Sequence, residues 1–246
     1  MTEPRHRPAG PPVAFFDVDE TLLATKTLLD FWDFWAASGA WPVPGRLPDL
    51  RARVAAGEDR DTLNREYYRR FAGVPVATLR SAARRWYEAH RRGPWAFVTA
   101  AVEAVDGHRR RGHEVVLVSG SLRPLLEAVA EDFGAAEVRC AEQEVTAGGL
   151  LTGEVDRSMI GQAKGDAVAA VVHGRGVRAE DCWAYGDHVS DLAMLRAVGY
   201  PVVVGGSPLL VAEARRAGWT VLGGHTGPRR AASHADRPVM ASEHGR

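Results

Sequence analysis

The chain has 246 residues, enough for one large domain or a domain with an insertion, and its 46% hydrophobic and 25% charged residues are the balance of a folded globular protein. Lys plus Arg (31) equals Asp plus Glu (31), so no overall field favours nucleic acid or an anionic membrane surface. No run reaches the ~18 apolar residues needed to span a bilayer. The arginine clusters Arg69-Arg70, Arg84-Arg85, Arg91-Arg92 and Arg109 to Arg111 fall in helical patterns and read as solvated helix faces. Cys140 and Cys182 lie in apolar, strand-like runs without metal-binding spacing and read as reduced core thiols. Nothing at the N-terminus resembles a signal peptide, so the expected compartment is the cytoplasm.

Residues 1–12 are polar and proline-rich and are expected to be disordered. Val13 to Phe16 is an apolar run that reads as a buried strand, and polarity changes abruptly at Asp17. After Thr21 the period turns helical: Leu28, Phe31, Trp32 and Trp35 fall at i, i+3, i+4 and i+7 and make one apolar face. That face serves as helix core or as the floor of a substrate pocket. The helix should stop near Gly39, ahead of the loop Pro42-Val43-Pro44-Gly45. Two more helices are expected, over about Arg60 to Phe71 and Val76 to Arg91.

From Trp95 a helix leads to the strand Val115 to Val118. Ser119-Gly120-Ser121 is expected to turn the chain into a helix from Leu122 to Phe133, ended by Gly134. Val138 to Cys140 is a short strand, and Glu144 to Val155 reads as a hairpin around Gly148-Gly149 at the sheet's edge. Lys164 sits at the start of a helix running to about His173. Cys182 to Tyr185 is another strand, and Gly186 opens the loop before a helix from Leu192 to Val198. Val202 to Val204 and Trp219 to Leu222 close the sheet. From Gly223 a disordered tail is expected. Strands alternating with helices imply an α/β fold: a Rossmann-like parallel sheet with helices on both faces, over residues 13–24 and 93–222. Residues 25–92 make an inserted all-helical unit. Ligands of such sheets bind beyond the carboxyl ends of the strands.

Asp17 and Asp19, two apart on extended backbone, point the same way. Like charges that close raise one another's pKa, so the pair is expected to hold a divalent cation, to act as nucleophile and proton-transfer partner, or both. Asp187 and Asp191, four apart where a loop enters a helix, can face one point, and oxygen donors of this kind suit a hard cation such as magnesium. Taken singly, each aspartate also has a structural reading as a turn or helix cap. Ser119 with Gly120 offers a hydroxyl and an amide to an anion at a helix N-terminus, although Ser119 or Ser121 would equally serve as a cap.

Asp17-Val18-Asp19-Glu20-Thr21 after an apolar strand, then Val118-Ser119-Gly120-Ser121, then Lys164, then Gly186-Asp187-His188-Val189-Ser190-Asp191 together resemble the four motifs of the haloacid dehalogenase-like phosphohydrolases. The resemblance covers roughly Val13 to Leu222 and is greatest to the subgroup containing the phosphoserine phosphatases. It implies an all-helical cap over an α/β core, a magnesium ion, and a small phosphorylated metabolite as substrate. Asp17 would be the nucleophile and Asp19 the acid and base. Lys164 would neutralise nucleophile and phosphate, Ser119 and Gly120 would hold the phosphate, and Thr21 would orient the loop next to it. Asp17, the Asp19 carbonyl and Asp187 would bind the metal directly, with Asp191 reached through water or Lys164. Ser190 lies where the phosphoserine phosphatases carry asparagine, and His188 reads as an exposed loop residue. Those enzymes receive the substrate's ammonium group on a glutamate nine residues after the nucleophile. Lys26 stands there in this chain, which argues against phosphoserine as the main substrate, whether Lys26 is solvated or touches substrate. Arg65, Tyr68 and Arg69 fall where the relatives place a carboxylate-binding arginine. A phosphotransferase or mutase, and a phosphate-sensing module without catalysis, are the other readings of the same motifs.

Overall fold

β1 (Val13–Phe16) is flanked on both sides in the central sheet, and every one of its side chains is buried. The computed structural model describes residues 10–39, 41, 52–53 and 56–228. Val13 pairs with Glu114 of β3 (Glu114–Leu122), and Ala14 pairs with Trp183 of β7 (Trp183–Gly186), both in parallel. With β4 (Glu137–Ala141), β8 (Tyr200–Val204) and β9 (Thr220–Leu222) they make a six-stranded parallel sheet in the order β4-β3-β1-β7-β8-β9. Because strand side chains alternate, β1 serves two cores. Ala14 and Phe16 pack with α4 (Thr99–Arg110) and α5 (Arg123–Phe133). Val13 and Phe15 pack with α6 (Gln162–Arg175), α7 (Leu192–Arg196) and α8 (Pro208–Ala217). Burying each phenylalanine contributes about 1.5–3 kcal/mol. The chain leaves β1 for β3 on one side and comes back to β7 on the other. The carboxyl end of β1 is therefore the switch point at which such sheets place ligands.

Between β1 and β3 lies the helical insertion, with α1 (Thr27–Ser38), α2 (Arg60–Arg69) and α3 (Val76–His90) among the described residues. α1 ends at Gly39 in the left-handed conformation, as the sequence predicts. Phe31, Trp32 and Trp35 pack on Tyr67, Phe71 and Trp86 with ring centroids 5.7–5.9 Å apart in four pairs, so these three rings are core and not a pocket floor. α3 lies along α5 and is joined to it by Arg80–Glu127, Arg84–Glu131 and Arg91–Asp132. Some of the arginines expected to be merely solvated thus make a seam between layers. The two connections to the insertion run side by side: Val98 donates to the Leu22 carbonyl and Ala24 to the Ala96 carbonyl.

Several expectations are corrected. The hairpin, β5 (Gln143–Val145) with β6 (Leu151–Val155), forms its own two-stranded sheet instead of extending the edge of the large one. Its partners are in the helical insertion, because the backbone at Gly73, Val74 and Val76 is free to bond to Leu151 and Gly149. Gly153 in β6 has φ +87° and lies so close to α2 that a Cβ would stand 2.9 Å from the Arg69 Cα, which only glycine tolerates. Residues 119–122 do not turn but prolong β3 in extended form across a register shift against β4. Gly223 does not begin a structureless tail: Thr226–Gly227 (β10) pairs with Phe97–Val98 (β2), bracing the two connections. The loop expected at 42–45, the disorder expected over residues 1–9 and the tail from 229 lie outside the described residues. Among the described residues no helix is long and apolar enough to cross a membrane.

His108 of α4 is fully buried beneath β1 and β7, its Nε2 2.8 Å from the Tyr185 hydroxyl and its Nδ1 2.9 Å from the His113 Nδ1. Burial, with Arg111 and His113 adding to it, lowers its pKa to about 4. The unfolded chain therefore takes up this proton more readily between pH 6.5 and 4, and stability present above pH 6.5 is lost as pH falls through that window. From pH 6.5 to 5 the expected loss is about 2 kcal/mol, at ~1.4 kcal/mol per unit. Urea unfolding at a series of pH values should show it, with a shallower dependence in His108→Gln; identical pH profiles for the two proteins would contradict this.

Candidate active site

The site is made from three strand ends and the first turn of α6. Asp17 follows β1, and its backbone N–H donates to the Tyr185 carbonyl at 2.9 Å, fixing its exit from the sheet. Asp187 follows β7, and Asp191 sits one turn later, fully buried. Gly186 makes this crossing of chains feasible, since a Cβ there would stand 2.6 Å from the Asp191 Cβ. Lys164, on α6, is 4% exposed and donates to Asp17 Oδ1 at 2.7 Å and Asp191 Oδ1 at 2.5 Å. The other Asp191 oxygen accepts the His188 backbone N–H at 3.0 Å. Asp191 is thus occupied on both oxygens, and it braces Lys164 more than it faces the cleft.

The electrostatics follow from burial. Burial pushes the Asp17 carboxyl well above the usual range; Lys164 pulls it down, and Asp191, Asp187 and Asp19 push it up again. Asp187 is raised to about 6, by burial first and then by Asp191 and Glu20. Burial also raises Asp19, opposed by the hydrogen bond from Thr27. For Lys164 burial acts downward, but Asp17 and Asp191 outweigh it and leave the ammonium firmly protonated. Ligand oxygens of Asp17, Asp187 and Asp191 lie within 4.8 Å of one another. One lysine cannot balance this cluster. A hard divalent cation with oxygen ligands fits both the donor set and the uncompensated charge.

Most of the residues singled out in the sequence meet in one cleft. Asp17, Asp19, Lys26, Ser119, Gly120, Lys164 and Asp187 all line it. Neither serine caps α5: its N-cap, Leu122, has no side-chain hydrogen bond. The Ser119 hydroxyl accepts the Ser121 N–H at 3.1 Å, and Gly120 presents its carbonyl to the Tyr68 hydroxyl at 2.5 Å. Thr21 is buried and donates to Asp187 Oδ1 at 3.1 Å, so it orients a carboxylate and does not reach substrate space. Lys26 pairs with Glu20 at the rim.

Other placements differ from the sequence reading. Arg65 is outside the cleft, paired with Asp61 at 3.1 Å and donating to the Val155 carbonyl at 3.2 Å. Arg69 pairs with Glu154. His188 is half-buried rather than exposed, and its Nδ1 accepts the Ser190 N–H at 3.1 Å and stands 2.9 Å from Arg60 Nη1. Burial lowers its pKa, Arg60 adding to this.

Several residues in the site were missed. Thr27, fully buried at the start of α1, donates to Asp19 Oδ1 at 2.6 Å and also contacts the Ser121 hydroxyl. Arg60 and Tyr67 of α2 line the cleft. A polar residue directly ahead of an aromatic helical face was the available signal for Thr27.

A family model described as haloacid dehalogenase-like hydrolase matches residues 14–196. The chain is 32% identical over 227 residues to a Mycobacterium tuberculosis protein named probable phosphatase Rv3661, covering 90% of this chain and 77% of that protein. Among solved structures, a Bordetella pertussis protein of unknown function superposes with a TM-score of 0.75 at 24% identity, over 87% of this chain and 99% of that one. A phosphoserine phosphatase holding a phospho-aspartyl intermediate analogue superposes with a TM-score of 0.62 at 18% identity, over 89% of this chain and 95% of that one.

Proposed function

This chain belongs to the haloacid dehalogenase-like hydrolase family, and from that premise we propose that it is a magnesium-dependent phosphatase of a small organic phosphate monoester. The observation that carries the reading is the buried contact of Lys164 with both Asp17 and Asp191, beside a second aspartate, Asp19, that Lys164 does not touch. The two carboxylates leaving β1 are thereby made different. Asp17 alone has an ammonium in contact, which opposes the upward push of burial and favours the charged form that attacks. Asp19, raised by burial, is suited to carry a proton.

In the first step an Asp17 oxygen forms a bond to phosphorus as the ester P–O bond breaks, and Asp19 gives its proton to the departing alkoxide. In the second, Asp19 takes a proton from water as the water oxygen attacks phosphorus and Asp17 leaves as carboxylate. Asp19 ends protonated, ready for another cycle. Lys164 and Ser119 position the phosphoryl oxygens, Gly120 lets it approach β3 closely, and Thr27 aims Asp19. Asp17, the Asp19 carbonyl and Asp187 would hold magnesium, with Asp191 acting through Lys164. The bound ion supplies positive charge to the phosphoryl oxygens as negative charge gathers there. The α1–α3 insertion acts as a cap that excludes bulk water, and the cytoplasm suits an enzyme with two buried, reduced thiols.

Hydrolysis of p-nitrophenyl phosphate in magnesium should stop on adding EDTA and return with excess magnesium. Magnesium should also raise the thermal midpoint, because a cation binding only the folded state relieves its uncompensated carboxylates. Undiminished hydrolysis by the metal-stripped protein would remove the magnesium assignment.

A further inference from the structure

Ser121 carries a buried hydroxyl that the reaction described above does not use. It lies where β3 passes the register shift against β4, 1% exposed, two residues beyond Ser119 and just ahead of the buried Leu122. It does not cap the helix that follows, whose N-cap is Leu122 and has no side-chain hydrogen bond. A hydroxyl this deep needs a partner, because burying it without one costs stability that an apolar side chain of the same size would keep. Its backbone and its side chain reach two different parts of the chemistry. The backbone N–H donates to the Ser119 hydroxyl oxygen at 3.1 Å. The side-chain hydroxyl meets the Thr27 hydroxyl. Ser119 and Asp19 line the cleft, and Ser121 and Thr27 stand behind them.

The number of hydrogens fixes the direction of these bonds. A hydroxyl has one hydrogen to give and two lone pairs to receive with. Thr27 gives its hydrogen to Asp19 Oδ1, 2.6 Å away. The contact between Thr27 and Ser121 is then a hydrogen bond only with Ser121 as the donor. While Ser121 donates, the Thr27 hydrogen stays committed to Asp19, and a hydroxyl that accepts one hydrogen bond is a stronger donor of the next. Without Ser121 the Thr27 hydroxyl loses its second restraint. Both hydroxyls are sealed from bulk water, so none competes for either end of the link. The chain Ser121 to Thr27 to Asp19 thus joins β3, the start of α1 and the loop leaving β1.

We propose that Ser121 is a positioning residue for proton transfer: acting through Thr27, it holds the Asp19 carboxyl where it meets the oxygen of the departing alcohol, and it does not itself touch substrate. The inference rests on the phosphatase reading and adds a residue to it. Ser121 is joined by its backbone to Ser119, which receives the phosphoryl group, and by its hydroxyl to the acid, so one residue sets the spacing between phosphorus and proton donor.

The test compares kcat/KM for phenyl phosphate with that for p-nitrophenyl phosphate, both in magnesium. This ratio covers the steps up to departure of the alcohol, and phenolate leaves poorly without a proton whereas p-nitrophenolate hardly needs one. Ser121→Ala should lose about two- to tenfold on phenyl phosphate, the range for one neutral hydrogen bond, and clearly less on p-nitrophenyl phosphate. Thr27→Val removes a hydrogen bond to a charged group and should lose roughly ten- to a hundredfold on phenyl phosphate with the same skew, which Thr27→Ser should restore. Adding Ser121→Ala to Thr27→Val should cost nothing further, because Ser121 acts only through Thr27. No loss in Ser121→Ala, equal losses on the two esters, or losses of the two variants that multiply would make Ser121 a packing residue and overturn the proposal. Should Ser121→Ala not fold, Ser121→Cys, whose S–H is a weak donor of similar shape, is read in the same way. A wild type that hydrolyses neither ester ends the phosphatase reading and this inference with it. A wild type that hydrolyses both, with equal losses in Ser121→Ala, ends the inference alone.

Discussion

Asp17→Asn should abolish turnover and leave the fold intact. The amide cannot attack phosphorus, and removing the nucleophile of a covalent mechanism lowers kcat by roughly 10^4-fold or more. Loss of stability is not expected. Asp17, Asp19, Asp187 and Asp191 crowd around one ammonium, and burial already drives Asp17 towards its neutral form. Replacing it by an isosteric neutral group removes repulsion with three carboxylates while Lys164 keeps Asp191. Without magnesium, the thermal midpoint of the variant at pH 7.5 should therefore equal or exceed that of the wild type. With magnesium, the wild type should gain more. Acid quenching during turnover should trap a phosphorylated chain in the wild type and none in the variant. Residual activity near the wild-type level would remove Asp17 as nucleophile.

Lys164→Met reverses the pattern, losing both activity and stability. The ammonium is buried between two carboxylates, and breaking such a pair by removing one partner costs about 3–5 kcal/mol, because a charge is left in low dielectric. The sign with pH is diagnostic. Without Lys164 the folded pKa of the abandoned carboxylates lies further above the unfolded value, so protonation favours the folded state and the deficit shrinks as pH falls. Urea midpoints at pH 8 and pH 5.5 should show the larger gap from wild type at pH 8. Lys164→Arg should not restore turnover, since a planar fork cannot meet Asp17 and Asp191 as a compact ammonium does. A gap that is the same at both pH values would mean that the lysine acts through packing alone.

What could be read from the sequence, and what could not, divides along a physical line. Asp17 and Asp187 were readable because each stands where an apolar run gives way to polar residues, and a parallel sheet brings those boundaries to one edge; Lys164, on a helix, was readable only from its order and spacing among the other motifs. Interactions that depend on how two layers are registered were not. On α2, Arg60, Asn64 and Tyr67 fall on one face and reach the cleft, while Asp61, Arg65 and Arg69 fall on another, toward β6. Both faces carry an arginine, so composition cannot choose between Arg60 and Arg65; only the docking of α2 on the core does. The hairpin was placed at the wrong sheet for the same reason. Its strands were visible as β-prone runs, but its partner is a backbone stretch at Gly73–Val76 that has no strand pattern. Thr226–Gly227 is too short and too polar to register as a strand at all.

The central position of β1 has a consequence for synthesis of the protein. Val13–Phe16 leaves the ribosome ahead of its neighbours on either side, β3 and β7, with Trp183 far along the chain. Until both have emerged, an apolar strand with unsatisfied edges has nowhere native to go, and pairings this distant in sequence are slow to form. The carboxylate cluster at its end can be assembled only after the nascent chain has passed Asp191. Enzyme activity should thus be the last native property acquired during refolding, and β1 is the segment a holding chaperone would meet.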